Sequence, residues 1–121
     1  MHELSICQNL LDQVTQLVKQ HGAGSAAAIW VQIGPLSGVE PALLETAFTF
    51  AREGTVAAQA SLTLETLPVR IYCPQCQQET TVNPNRLTCP TCDNWQTELR
   101  SGNELLLARV ELVSEEKSFA D

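Results

Sequence analysis

The sequence predicts an α+β fold, two helices against a small three-stranded sheet, with a second lobe inserted between the second and third strands. Three observations predict it. Two segments carry apolar residues at helical spacing, and three others alternate apolar with polar residues. Two Cys-x-x-Cys pairs, Cys73/Cys76 and Cys89/Cys92, with twelve residues between them, precede the last alternating segment. A chain of 121 residues can build one modest core with a small attachment, but not two cores of equal size.

The first helix runs from Leu4 to Gln20, with Leu4, Cys7, Leu10, Leu11, Val14, Leu17 and Val18 on one face. It ends at Lys19-Gln20-His21-Gly22, where cations meet the last carbonyls and glycine accepts a positive φ. His21 therefore reads as a complement to the helix terminus, and Cys7 as a buried, inert thiol. The first strand, Ala26 to Ile33, alternates Ile29, Val31 and Ile33 with Trp30 and Gln32, and Gly34-Pro35-Leu36-Ser37-Gly38 breaks it.

The second helix spans about Glu40-Pro41 to Glu53. Proline suits its first turn, Leu43, Leu44, Ala47, Phe48, Phe50 and Ala51 form its apolar face, and Gly54 ends it. The second strand, Ala60 to Leu67, alternates Leu62 and Leu64 with Ser61, Thr63 and Glu65, and Pro68 makes it an edge or an exit. The third strand, Glu104 to Leu112, sets Leu106, Ala108, Val110 and Leu112 on one face. The polar tail, Ser114 to Asp121, is expected to fray. The domains expected are an αβ domain of residues 1–69 and 102–121 and an inserted lobe of residues 70–101.

In a reducing compartment, two Cys-x-x-Cys pairs read as metal ligands before disulfides. Two residues between thiolates let a tight knuckle aim both sulfurs at one ion, and two knuckles complete a tetrahedron. Asn83-Pro84-Asn85 supplies a turn between them. Beyond Val82, Leu87 and Trp95 the segment is poor in apolar residues, so metal binding is expected to supply much of its folding free energy. Four thiolates leave no open coordination position, which makes the site structural. A zinc-ribbon lobe fits best. A rubredoxin-like iron electron carrier uses the same ligand set, and paired redox disulfides are the third reading.

Composition excludes other classes. With 14 acids against 7 bases and a net charge of −7, a surface built to neutralise phosphates is not expected, and the loop from Gln77 to Thr88 holds one base, Arg86, and one acid, Glu79. No apolar run approaches the ~20 residues of a membrane span. The N-terminus lacks the basic and apolar regions of a secretory signal, so a cytoplasmic protein is expected. No phosphate-binding glycine loop appears, and two histidines far apart support no triad, so no enzyme is expected.

Met1-His2-Glu3 carries a different chemistry. An amino terminus followed by backbone amides offers nitrogen donors in a plane, and an imidazole at position 2 can close the chelate. Such nitrogen sets favour Ni(II) or Cu(II), and affinity should fall with pH because the donors must be deprotonated. The bulky His2 is expected to keep Met1 in place as the terminus. Taken alone, His2 reads as a solvated residue and Glu3 as an acid at a helix N-terminus.

Together, Met1-His2-Glu3-Leu4-Ser5, Lys19-Gln20-His21-Gly22, Ile33-Gly34-Pro35-Leu36-Ser37-Gly38-Val39, the two cysteine pairs and Ser101-Gly102-Asn103-Glu104-Leu105 carry a resemblance. Nearly end to end, the chain resembles the HypA/HybF family of nickel-incorporation proteins for [NiFe]-hydrogenase maturation. The resemblance implies a nickel metallochaperone that holds transferable Ni(II) at Met1, His2 and Glu3 and delivers it to the hydrogenase large subunit. It implies structural Zn(II) on Cys73, Cys76, Cys89 and Cys92, and the GTPase HypB as a second partner. Neither nucleic acid nor membrane is implied as a partner, and both monomer and homodimer remain open. The alternatives are a zinc-ribbon interaction adaptor without transferable metal and the rubredoxin-like carrier. Some members of the family place a histidine directly after each cysteine pair. Here those positions are Gln77 and Asp93, so the ribbon is expected to keep four sulfurs.

Overall fold

The computed structural model describes residues 2–114. Met1 and the tail beyond Ser114, expected to fray, lie outside the described residues. The elements run α1 (His2–Gln20), β1 (Ala23–Ile33), α2 (Pro41–Ala51), β2 (Ser61–Thr66), β3 (Val69–Cys73), β4 (Gln78–Val82), β5 (Glu98–Ser101) and β6 (Leu105–Ser114). They form two helices and two three-stranded sheets, ordered β2-β1-β6 and β4-β3-β5. The first sheet is the one expected, with β2 at an edge. The second lies wholly within the cysteine segment and its approach.

The chain divides into two compact units. One holds the chain up to Val31, Glu40–Leu64 and the chain from Leu107 onward. Its core is Cys7, Leu11, Val14 and Val18 of α1, Leu44 and Phe48 of α2, and Ala26, Ile29 and Val31 of β1. Burying each large aliphatic here contributes about 1.5–3 kcal/mol before entropy is counted. The apolar stripe of α2 is narrower than its sequence implies: Leu44 and Phe48 face the core, whereas Leu43 and Phe50 are exposed. The α1 terminus behaves as expected. His21 Nδ1 donates to the Leu17 carbonyl at 2.9 Å, which requires its proton on Nδ1, and Gly22 has φ +64°.

The other unit holds Gln32–Val39 and Glu65–Leu106. β3 is its central strand, antiparallel to β4 from Val69↔Val82 to Cys73↔Gln78, and antiparallel to β5 with a bulge between Arg70 and Ile71. Val69, Ile71 and Cys73 turn inward and are buried. On the other side Arg70 and Arg100 flank Glu79 at 3.3 and 3.6 Å, and Arg100 lies 4.6 Å above the Tyr72 ring. These exposed ion pairs contribute little. Trp95 is 74% exposed and Leu87 is also exposed, so neither builds this core.

The Gly34–Gly38 segment is more than a break. The Gly34 N–H donates to the Glu104 carbonyl at 2.8 Å, the Leu36 N–H to the Gly102 carbonyl at 2.6 Å, and the Leu67 N–H to the Ile33 carbonyl at 2.9 Å. Gly102, with φ +119°, is the residue whose backbone Gly34 meets.

Candidate metal centre

Each cysteine pair sits on a knuckle built the same way. In the first, β3 ends on Cys73 and the chain reverses through Pro74–Gln77 before β4. The Gln77 N–H donates back to the Cys73 carbonyl at 2.6 Å, with Gln77 at φ +56°. In the second, the Asp93 N–H donates to the Cys89 carbonyl at 2.7 Å, with Asp93 at φ +61°. A left-handed residue just after the second cysteine closes each turn, and the hydrogen bond it makes holds it in that region. Gln77 and Asp93 are thus turn-closing positions, and the Asp93 carboxylate faces Arg86 at 3.4 Å on the surface.

The knuckles bring all four sulfurs within 4.8 Å of one another. Cys73 Sγ lies 3.6 Å from Cys92 Sγ, and Cys89 Sγ lies 3.9 Å from Cys76 Sγ. A tetrahedral ion with metal–sulfur bonds of ~2.3 Å has sulfur–sulfur edges of about 3.8 Å. The cluster therefore has the dimensions of one four-sulfur metal site, consistent with zinc.

Its electrostatics fit a cation. The Cys76 N–H donates to Cys73 Sγ at 3.4 Å and, as the main cause, pulls the Cys73 thiol down to about 7. The Cys92 N–H is likewise the main cause that lowers the Cys89 thiol. The second cysteine of each pair moves the other way. Cys76 is pushed up to about 12, first by its contact with Cys92 and then by burial. At Cys92 the Asn94 N–H pulls down, but burial and the contacts with Cys73 and Cys89 outweigh it. Four thiolates in so small a volume repel one another, and a shared cation offsets that repulsion. Cys7 is apart from all this, buried under α1, with desolvation holding its thiol up.

The chain start forms a second constellation. His2 is the first described residue of α1, its side chain 59% exposed. Glu3 is buried; its carboxylate accepts the Glu40 N–H at 3.2 Å and lies 3.5 Å from His2 Nε2. The Glu40 amide is the main reason the Glu3 carboxyl is held below its usual range. Glu40 is the N-cap of α2 and makes no side-chain cap, so Glu3 supplies an acceptor from another helix. Glu3 stands in the first turn of α1, as its reading as an acid at a helix start expects, and it also serves the start of α2. Glu40 is the residue that sequence reasoning missed; its signal is a helix start, Glu40-Pro41, with a weak capping side chain.

Replacing Glu3 with Ala leaves that amide without its acceptor, so the melting temperature at pH 7 should fall. The Glu3 carboxyl is lowered by folding, so its contribution is present above the ordinary value of 4.5 and is lost as pH drops through the folded value. Thermal melts of wild type and Glu3→Ala across pH should therefore converge in acid.

Comparison with known proteins supplies the family and the fold. The family model described as hydrogenase/urease nickel incorporation, metallochaperone, HypA matches residues 1–112. The chain belongs to the HypA family. It is 43% identical to the hydrogenase maturation factor HypA of Nitrosospira multiformis, over 94% of this chain and 99% of that protein. It is 40% identical to the HypA of Aquifex aeolicus, over 93% and 97%. A solved HypA protein in solution has a TM-score of 0.73 at 26% identity, covering 95% of this chain and 98% of that one. The Ni metallochaperone HypA from Helicobacter pylori shares the fold, with a TM-score of 0.68 at 23% identity over 93% and 98%. The chain thus joins membership of a nickel-incorporation family with a two-helix αβ unit and a four-cysteine cluster that has the dimensions of a metal site. Among the described residues no helix is long and apolar enough to cross a membrane.

Proposed function

We propose that this member of the HypA family is a cytoplasmic nickel carrier, not an enzyme: Met1, His2 and Glu3 hold Ni(II) as cargo for the [NiFe]-hydrogenase large subunit. Structural Zn(II) is held by Cys73, Cys76, Cys89 and Cys92 in the ribbon domain of residues 70–101, and residues 1–69 and 102–121 form the nickel-binding domain. The GTPase HypB supplies any nucleotide-driven step, and the −7 charge suits docking on basic protein surfaces.

The observation that carries this reading is the exposed His2 imidazole at the start of α1, with a buried carboxylate 3.5 Å from its Nε2. Imidazole and backbone nitrogens suit Ni(II), and the four thiolates suit the zinc they enclose. Because Glu3 is already engaged with Glu40, its side chain serves by orienting His2, and its backbone nitrogen is the donor it offers. An exposed site at a chain end lets incoming ligands replace its donors one at a time. Nickel donors must be deprotonated to bind, so nickel affinity falls as pH drops.

Calorimetric titration of nickel into untagged, zinc-loaded protein tests the reading. One high-affinity equivalent is expected, lost or weakened at least tenfold in His2→Ala and in a variant with residues added before Met1. Unchanged stoichiometry and affinity in both variants would sink it. No specific site even in wild type would favour a zinc-ribbon adaptor without cargo.

A further inference from the structure

Two close sulfur contacts in the cysteine cluster cross from one knuckle to the other. Cys73 Sγ meets Cys92 Sγ at 3.6 Å, and Cys76 Sγ meets Cys89 Sγ at 3.9 Å. Each crossing pair joins a buried cysteine, Cys73 or Cys89, to a half-buried one, Cys92 or Cys76. The second knuckle also reaches the first through Asn94, whose Nδ2 donates to Cys73 Sγ at 3.9 Å. Within each knuckle the backbone is held in its turn by the hydrogen bonds from Gln77 to Cys73 and from Asp93 to Cys89. A disulfide needs its sulfurs at ~2.0 Å, so each crossing pair has under about 2 Å to close.

We propose that the cluster is a redox latch. A peroxide converts it into two nested disulfides, one joining Cys73 to Cys92 and one joining Cys76 to Cys89, and zinc is released while the lobe keeps its fold. This rests on the zinc reading of the four cysteines. The half-buried sulfurs meet the oxidant first. The Cys92 thiolate attacks one peroxide oxygen, the O–O bond breaks, and a sulfenic acid forms as hydroxide leaves. The Cys73 thiolate then attacks the Cys92 sulfur, forming the S–S bond and expelling a second hydroxide. Two protons from solvent turn both hydroxides into water, so two sulfurs have passed two electrons to one peroxide. Cys76 and Cys89 repeat the step with a second peroxide, and the last thiolate ligands are consumed. A dithiol reductant returns the four electrons by exchange and restores the ligands.

The pairing decides what happens to the lobe. The crossing bonds join residues 19 and 13 positions apart, one loop inside the other. Both tie the first knuckle, where β3 ends, to the second, as a shared ion does. Closing such loops restricts the unfolded chain and so favours the folded one. Disulfides within each knuckle would close only short turns and leave the knuckles unjoined. Cys7 lies buried in the other unit and stays a free thiol.

Hydrogen peroxide titrated into the zinc-loaded chain tests this. A chromogenic chelator should record one zinc released for every two peroxides. Trypsin cuts after Arg70, Arg86 and Arg100, which places Cys73 and Cys76 on one peptide and Cys89 and Cys92 on another. Unreduced digests should show these two peptides joined, with fragmentation assigning Cys73 to Cys92 and Cys76 to Cys89, and with Cys7 free. Hydrogen exchange should show β3 still protected after release, and dithiothreitol with added zinc should restore the original zinc content. Peptides that separate, each with an internal disulfide, would overturn the proposal. So would zinc retained in excess peroxide, or β3 amides that lose protection on release. Zinc content measured before oxidation keeps the two claims apart. A chain that binds no zinc overturns the zinc reading and this proposal with it, whereas a zinc-loaded chain with any other disulfide map overturns this proposal alone.

Discussion

Chelating the metal should unfold the cysteine lobe while the two-helix unit stays intact. The inward face of β3 offers Val69 and Ile71, and the next inward side chain is Cys73, itself in the cluster. Two buried aliphatics contribute only a few kcal/mol. Structural zinc contributes on the order of 10–16 kcal/mol in small metal-organised units, so the metal dominates. Amide protection in β3, β4 and β5 should disappear on chelation, and protection in α1 and β1 should persist. Acid should do the same. With Cys76 held up near 12 and Cys92 also raised, loading the site near neutral pH expels protons from both, so affinity falls as pH drops. Lobe amides that stay protected in excess chelator would show that packing alone holds the fold.

Gly34→Ala should be among the most damaging single changes outside the cysteines. A Cβ there would overlap the Gly102 carbonyl and come 2.7 Å from the Asn103 nitrogen, all backbone atoms that cannot rotate away. The loop must then separate from residues 102–104, giving up the hydrogen bonds from Gly34 to Glu104 and from Leu36 to Gly102. Steric overlap and two lost backbone hydrogen bonds together cost about 3–5 kcal/mol. Gly22→Ala is the control: Gly22 has φ +64° but nothing within 4 Å of its would-be Cβ, so its cost is about 1 kcal/mol. Chemical denaturation of the two variants should separate them clearly.

The difference between these glycines also marks what the sequence makes legible. Gly22 follows a periodic helix and cations, a local pattern, and its positive φ is readable from that alone. Gly34 looks like a strand breaker because its real partner, Gly102, is far along the chain, and no local period records a long-range backbone approach. The same holds at the candidate sites. The spacing of Cys73, Cys76, Cys89 and Cys92 is local within each knuckle, so the cluster is legible. The link from Glu3 to Glu40 joins residues 37 apart and is not. β3 was readable in principle, since Val69, Ile71 and Cys73 alternate with Arg70 and Tyr72; Pro68 and the first knuckle on either side obscure it. In α2 periodicity overreached, because an apolar residue at helical spacing is not obliged to be buried, as exposed Leu43 and Phe50 demonstrate.

The central claim is a division of labour, with sulfur holding zinc and the chain start holding nickel. X-ray absorption at both metal edges, on one sample loaded with both ions, tests it most directly. The zinc edge should show four sulfur scatterers at ~2.3 Å, and the nickel edge a shell of nitrogen and oxygen with an imidazole signature that vanishes in His2→Ala. Thiolate sulfur in the nickel shell, or zinc displaced from the cluster by nickel, would contradict it.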